Sequence, residues 1–150
     1  MFTGSLPRPA SLLIGPDDSL GLRFHHVGVA CSDIDKENRH FSVLGYTPEG
    51  EDFVDPLQGI RGRFLGGQVP RVELLMPLEG SKVLDGWLAA KVKLYHLAYE
   101  TGDINGAIER LGKLGAKTVR SPVPAVAFQG RQIAFLMLPN MLLVELIAAS

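Results

Sequence analysis

The sequence predicts an α+β fold in which two tandem βαβββ modules form one curved sheet around an interior cleft. Three observations predict it. The chain contains an internal repeat, each copy has its strand and helix signals in the same order, and each copy has one His in its first strand and one Glu in its last. One copy alone would leave a face of its sheet uncovered, so two copies are expected to share one core.

The repeat can be read from two segments, FHHVGVACSDID beginning at Phe24 and LYHLAYETGDIN beginning at Leu94, which are offset by 70 residues. The offset rises to 71 at two Gln-Gly pairs, which begin at Gln58 and Gln129, and to 72 at two Val-Glu-Leu runs. These one-residue drifts fall where loops are expected, as they do when a duplicated structural unit accumulates insertions.

The offsets also predict the domain organisation. Residues 23–150 are expected to form a single domain of two modules, about 23–78 and 93–149, joined by a linker helix over 80–91. Residues 1–22 are expected to be an N-terminal extension, because three prolines and two aspartates interrupt the apolar run and make it a poor signal peptide.

Each copy opens with a strand and a helix. The runs 24–30 and 94–100 are short and rich in aromatic or β-branched residues, which favours strands. Asp33 and Asp103 follow these runs, at positions where a carboxylate caps the first turn of a helix. The first helix is expected over about 34–44, and both helices should end at a Leu-Gly pair, since glycine commonly terminates a helix.

Three further strands are expected after each helix. They lie at 46–54, 62–66 and 71–76 in the first copy and at 117–119, 131–138 and 142–148 in the second. The last strand of each module therefore contains a Val-Glu-Leu run.

The glutamates of those two runs, Glu73 and Glu145, lie between apolar neighbours. A buried carboxylate is costly unless something compensates its charge, although a solvated outer face would explain either residue taken alone. His26 and His96 occupy equivalent places in the first strands, so pseudo-twofold symmetry can bring two imidazoles and two carboxylates into one metal-binding cleft. This ligand set favours one divalent transition metal (Zn, Co, Mn, Ni or Fe) over Ca or Mg, which prefer oxygen ligands.

Three further side chains are candidates for substrate binding. Gln58 and Gln129 begin equivalent Gln-Gly turns, although turn geometry alone would also explain them. Arg131 could bind an anionic group bidentately. His25 is expected to point to the face opposite His26 and so to stay outside the site.

The composition excludes several classes of protein. A net charge of −1 with no basic stripe argues against a nucleic-acid partner. No run of about 18 apolar residues is present, so no membrane span is expected. The single cysteine, Cys31, excludes an internal disulfide and a cysteine-based zinc site, is expected to be a packed small residue, and favours a reducing, cytoplasmic location.

Taken together, the segments HHVGVACSDID, VELLMPL, YHLAYETGDINGAIERLGKLGAK and the closing VEL resemble the vicinal oxygen chelate superfamily. This superfamily includes glyoxalases, extradiol dioxygenases, antibiotic-resistance proteins and methylmalonyl-CoA epimerases. The resemblance extends over about residues 23–148, and within the superfamily it is greatest to the methylmalonyl-CoA epimerases. The metal-ligand positions of the family fall on His26, Glu73, His96 and Glu145.

The resemblance implies a metal-dependent epimerase, isomerase or lyase that acts at a carbon next to a carbonyl or thioester through a metal-stabilised enolate. Glu145 and Glu73 are then metal ligands first and candidate bases second. The implied substrate is a small molecule such as an acyl-CoA, and the implied assembly is a homodimer. A glyoxalase-like lyase with another substrate and a non-catalytic ligand-binding protein of the same fold are the alternatives. An extradiol dioxygenase is disfavoured, because it uses two His and one carboxylate around Fe(II).

Two departures from the epimerase pattern leave the substrate open. Some epimerases carry a Glu just after the Gln-Gly pair, where this chain has Ile60, Arg61 and Gly62. The hairpin before the last strand, LPNM, is also shorter than the loop that epimerases have near the substrate.

Overall fold

In the computed structural model of this chain, which describes residues 21–150, both copies of the repeat fold as βαβββ. The first copy comprises β1 (Leu22–Ala30), α1 (Ile34–Ser42), β2 (Thr47–Asp55), β3 (Ile60–Gly66) and β4 (Val72–Pro77). The linker helix is α2 (Asp85–Ala90). The second copy comprises β5 (Leu94–Thr101), α3 (Ile104–Lys113), β6 (Lys117–Pro124), a short 3-10 helix (Val126–Phe128), β7 (Gln132–Met137) and β8 (Leu143–Ala148).

The eight strands form one mixed sheet in the order β2-β3-β4-β1-β5-β8-β7-β6. The antiparallel pair of β1 and β5 joins the two modules at the centre, and these strands pair in parallel with β4 and β8 respectively. The strand order is therefore symmetric about the β1–β5 pair, as the duplication predicts. The α+β fold and its open, curved sheet of two βαβββ modules are confirmed.

Both predicted N-caps are present. The Asp33 carboxylate accepts hydrogen bonds from the backbone amides of Asp35 and Lys36 at 3.0 and 3.1 Å, and the Asp103 carboxylate accepts one from the Gly106 amide at 2.9 Å. These bonds satisfy amides that have no partner within the helix. The helix α1 ends at Ser42, slightly earlier than predicted.

The linker helix is shorter than predicted, with six residues. It begins after Leu84, which is fully buried, and Lys91 ends it in a left-handed conformation with φ 57°. The prediction for residues 1–22 falls mostly on residues 1–20, which lie outside the described part of the chain. The strand β1 begins at Leu22, one residue before the expected start of the first module.

The two faces of the sheet bury different cores. The outer face packs against α1 and α3, using residues such as Leu74 and Leu146. The inner, concave face carries a third apolar cluster to which both modules contribute, and α2 covers part of it with Leu84 and Trp87. Because β-strand side chains alternate between faces, Glu73 and Glu145 lie on the concave side.

Two smaller expectations also have an outcome. Cys31 is 2% exposed, and its thiol donates a hydrogen bond to the backbone carbonyl of Leu75 at 3.5 Å, as expected for a packed small residue. Among residues 21–150, no helix is long and apolar enough to cross a membrane.

Candidate metal centre

Four side chains from the four central strands converge on the concave face of the sheet. His26 lies on β1, Glu73 on β4, His96 on β5 and Glu145 on β8. We call them the quartet. Each is at most 4% exposed, and one potential ligand atom from each lies within 4.8 Å of all the others. The structure therefore brings together all four predicted metal ligands.

The contacts within the quartet are short. The Nε2 atom of His26 lies 3.0 Å from Oε1 of Glu73 and 3.4 Å from Oε1 of Glu145. The Nε2 atom of His96 lies 3.4 Å from each of the same two oxygens. The two Nε2 atoms are themselves 3.1 Å apart. Two nitrogens and two oxygens thus surround one point.

These separations fit a transition metal ion. Metal–ligand bonds of about 2.0–2.2 Å place neighbouring ligand atoms about 2.9 Å apart at a right angle and about 3.4 Å apart at a tetrahedral angle. The observed spacings span that range. The Oε1 atom of Glu145 is also buried without a well-directed hydrogen-bond partner among the described residues. A bound cation would coordinate this oxygen and also the two imidazole nitrogens that face it.

The pKa shifts of the quartet residues also favour a bound cation. Burial acts on the pKa of His26 to lower it, but the carboxylates of Glu73 and Glu145 outweigh burial and raise that pKa to about 9. Burial acts to raise the pKa of Glu73, but the two imidazoles outweigh it and lower that pKa to about 2. The pKa of His96 is raised and that of Glu145 lowered by the same mutual attraction. Glu73 and Glu145 therefore stay ionised, and a positive charge placed between them would stabilise both carboxylates.

The backbone next to the quartet leaves space for the side chain of His96. Gly28 pairs with His96 across the β1–β5 ladder. A β-carbon at Gly28 would lie 2.6 Å from Nε2 of His96, closer than non-bonded atoms approach. The missing side chain leaves room for the imidazole ring over the strand, which is a close approach that only glycine permits.

The prediction that His25 faces away from the site is wrong. The ladder between β1 and β5 is irregular at His25, so the side chain lies beside His26, with their Nδ1 atoms 2.8 Å apart. A second irregularity falls at Tyr95, whose ring lies 4.9 Å from that of His96. His25 and Tyr95 are equivalent in the repeat. A bulge breaks strict alternation, and nothing in a single sequence marks where one occurs.

Two cavities on the concave side lie next to the quartet. The first, which we call the apolar cavity, has a volume of about 230 Å³ and is lined by Gln58, Ile60, Val83, Trp87, Tyr95, Val119, Arg120, Phe135 and Leu143. The second, the polar cavity, has a volume of about 340 Å³ and is lined by His25, Glu49, Phe64, Arg71, Ala127, Phe128, Gln129 and Arg131. Aromatic rings separate the cavities from the quartet: Tyr95 and Phe135 contact His96, and Phe64 and Phe128 contact His26.

The predicted substrate-binding residues are divided between these cavities. Gln58 lines the apolar cavity, where its amide donates a hydrogen bond to the buried carboxylate of Asp55 at 2.8 Å. Gln129 and Arg131 line the polar cavity. Gln129 has φ 57°, a turn conformation, and Arg131 is paired with Glu100 at 3.1 Å. The structure therefore does not bring the three residues to one place.

The position where some epimerases carry a glutamate is occupied differently in this chain. A β-carbon at Gly62 would collide with the ring of Phe53, which lies over the strand at that point. Phe53 thus fills the space over Gly62 in this chain.

Several lining residues were not identified from the sequence. Tyr95 and Phe135 are repeat partners of His25 and Phe64, so the internal alignment could have indicated them. Trp87 falls within the predicted linker helix over 80–91, and Arg120 lies one residue beyond the predicted strand over 117–119. Only the fold brings these two side chains to the same cavity.

The chain is similar to known proteins over most of its length. The sequence pattern of the Glyoxalase/Bleomycin resistance protein/Dioxygenase superfamily matches residues 25–135. A curated relative, the ethylmalonyl-CoA/methylmalonyl-CoA epimerase of Cereibacter sphaeroides, is 27% identical over 116 residues, which are 76% of this chain and 87% of that protein.

Solved structures share the fold. A hypothetical protein from Bacillus halodurans matches with a TM-score of 0.72 at 25% identity, over 86% of this chain and 95% of the other. A methylmalonyl-CoA epimerase from Mycobacterium tuberculosis matches with a TM-score of 0.69 at 24% identity, over 85% of this chain and 87% of the other. These likenesses establish the architecture within which the quartet lies.

Proposed function

Because the chain belongs to the glyoxalase/bleomycin resistance protein/dioxygenase superfamily, we propose that it is a metal-dependent epimerase, or a related isomerase or lyase, that acts on the carbon next to a thioester or carbonyl. The observation that carries this proposal is the complete quartet, with two imidazole nitrogens and two carboxylate oxygens around one point. A protein that only sequesters a ligand has no need of four buried ionisable groups, which are costly to bury.

The quartet residues would hold one divalent ion. When bound, that ion supplies Lewis-acid polarisation of a carbonyl oxygen, which acidifies the neighbouring C–H bond. His26 and His96 would bind through Nε2, since these atoms face the centre. The buried surroundings of the quartet exclude bulk water and strengthen each electrostatic interaction within it.

A carboxylate of the quartet would then move the proton. We assign this role to Glu145 before Glu73, because Oε1 of Glu73 lies 3.0 Å from Nε2 of His26, whereas Oε1 of Glu145 lies 3.4 Å from both imidazoles and so can loosen from the centre more readily. The carboxylate would accept the proton from the α-carbon, and inversion would then require a proton delivered to the opposite face, for which Glu73 is the second carboxylate of the quartet. The ring of Phe53 occupies the space over Gly62, so no carboxylate at that position can take part in proton transfer.

An acyl-CoA is the substrate class that best suits this site. The relative from Cereibacter sphaeroides is named for two such substrates, ethylmalonyl-CoA and methylmalonyl-CoA. Two cavities, one next to His96 and one next to His26, suit a substrate whose acyl group occupies one cavity and whose thioester arm occupies the other. The homodimer stays a prediction, which light scattering would check.

One experiment tests the proposed function. The purified protein is loaded with Co(II), Zn(II) or Mn(II) and incubated in D₂O with ethylmalonyl-CoA or methylmalonyl-CoA, and deuterium at the α-carbon is followed by NMR. We expect exchange that requires both metal and Glu145. Metal binding without exchange into either acyl-CoA would contradict the epimerase and favour the ligand-binding protein or a lyase with another substrate.

A further inference from the structure

The apolar cavity contains one cation, Arg120, with an unusual environment. Its NH2 group donates a hydrogen bond to the backbone carbonyl of Leu57 at 3.0 Å. Its Nε atom is buried and has no hydrogen-bond partner, and no carboxylate within residues 21–150 forms an ion pair with it. A buried guanidinium nitrogen without an acceptor is costly, because folding has removed it from water.

The β2–β3 turn, which Arg120 contacts through the carbonyl of Leu57, offers it no free acidic partner. Asp55 lies in the same region, two residues before Leu57, but its carboxylate already accepts hydrogen bonds from the backbone amide and side chain of Gln58 and from the backbone amide of Val126. These bonds fasten the β2–β3 turn to the 3-10 helix. The positive charge of Arg120 is therefore left facing the cavity.

The first copy of the repeat has an ion pair at the place where the second copy has Arg120 alone. Arg120 pairs with Phe135 in the ladder in the same way as Glu49 pairs with Phe64, so Glu49 is its repeat partner. In the polar cavity, Glu49 is paired with Arg71 at 3.3 Å. The equivalent of Arg71 in the second copy is Leu143, which lines the apolar cavity. The second copy thus has a positive charge at the place of Glu49 and an apolar side chain at the place of Arg71, so Arg120 has no charged counterpart there.

We infer that Arg120 binds a carboxylate of the substrate's acyl group, and that the apolar cavity is the subsite for that acyl group. This inference rests on the proposed function. The guanidinium presents parallel N–H donors that match a carboxylate, and the surrounding side chains suit a short alkyl substituent. Tyr95 and Phe135 line this cavity and also contact His96, so these two rings lie between the cavity that holds Arg120 and the quartet.

A carboxylate on an acyl group fits better than a phosphate of coenzyme A. Trp87, Tyr95 and Phe135 make up much of the lining, and the cavity volume is about 230 Å³. A diphosphate placed among these rings would lose its water for a single cation, whereas one carboxylate needs one guanidinium. Arg120 would then select acyl groups that carry a free carboxylate.

The test compares two ligands that differ by that carboxylate alone, ethylmalonyl-CoA and butyryl-CoA. Binding to the metal-loaded protein is measured by calorimetry and by the fluorescence of Trp87, the only tryptophan of the chain and a lining residue of the cavity. The variants are Arg120→Gln, Arg120→Lys and the control Arg39→Gln, which changes an exposed arginine on α1. Circular dichroism and metal content verify that each variant is folded.

We expect wild type and R39Q to bind ethylmalonyl-CoA at least about tenfold more tightly than butyryl-CoA. R120Q should lose this preference with unchanged affinity for butyryl-CoA, and R120K should retain part of it. An unchanged preference in R120Q, or equal weakening for both ligands, would overturn the carboxylate assignment while leaving the proposed function intact if α-proton exchange persists. Binding of neither ligand by wild type would overturn both.

Discussion

The Nε2 atoms of His26 and His96 lie 3.1 Å apart although the residues are 70 positions apart in the sequence. Such closeness follows from the antiparallel pairing of β1 and β5, which are equivalent strands of the two copies. Each copy supplies half of the quartet, so neither module can form it alone. The duplication and the proposed metal site are therefore parts of one arrangement.

Metal affinity should rise with pH. The pKa of His26 is raised to about 9 in the metal-free protein, so at neutral pH this imidazole carries a proton that the metal must displace. We expect affinity to increase by up to about tenfold per pH unit for each displaced proton, between about pH 6 and 9. Calorimetry in buffers of different ionisation enthalpy measures the released protons, and a pH-independent affinity would contradict the prediction.

Gly28→Ala should weaken metal binding. The new β-carbon would meet the ring of His96 and displace its Nε2 atom from the centre. We expect a loss of about tenfold or more in metal affinity, as for other changes that misorient a ligand. Gly112→Ala is the control, since Gly112 lies in α3 with open space around it. Equal affinity in the two variants would show that Gly28 does not position His96.

Glu145→Gln should reduce α-proton exchange by at least about 100-fold, because the amide cannot accept the proton. Glu73→Gln should bind metal less tightly, with a smaller loss of exchange once metal is saturating. Exchange rates at saturating metal separate the two roles. If E73Q loses exchange and E145Q retains it, the base is Glu73 and our assignment is reversed.

Asp52 should contribute to stability in a pH-dependent way. Its carboxylate accepts hydrogen bonds from Arg63 at 2.6 and 2.9 Å, which lowers its pKa below the ordinary value. The contribution is therefore complete above about pH 4 and is lost as pH falls through the lower pKa of the folded state. Asp52→Asn should cost about 1 kcal/mol of unfolding free energy at pH 7, and the difference from wild type should shrink towards pH 2.

Urea unfolding at pH 7 and at low pH measures this effect. The control is Glu51→Gln, an exposed residue of the same strand. A D52N difference that stays constant with falling pH would mean that the Asp52 charge does not stabilise the fold.

Much of the fold could be predicted from the sequence because the repeat shows the signals of each strand and helix twice. Asp33 and Asp103 marked both helix starts, and Glu73 and Glu145 stood out as carboxylates in apolar strands. Hydrophobic alternation then placed both glutamates on one face. These signals are local, so they can be recognised in the sequence without knowledge of the tertiary structure.

The remaining features depend on tertiary packing. The bulges at His25 and Tyr95 turn both side chains towards the quartet, which alternation excludes. Arg120 and Trp87 come from separate elements and meet only after α2 folds against the sheet. Gln58 and Gln129 match in sequence, but the pseudo-symmetry of the fold places them in different cavities.

Metal content tests the central claim most directly. The purified protein is dialysed against Co(II), Zn(II) or Mn(II) and measured by elemental analysis, together with His26→Ala, His96→Ala and the control His40→Ala, which changes an exposed residue of α1. We expect one tightly held ion per chain in wild type and H40A, and close to none in H26A and H96A. Wild type that retains none of these ions, or H26A and H96A variants that retain as much as H40A, would contradict the metal centre.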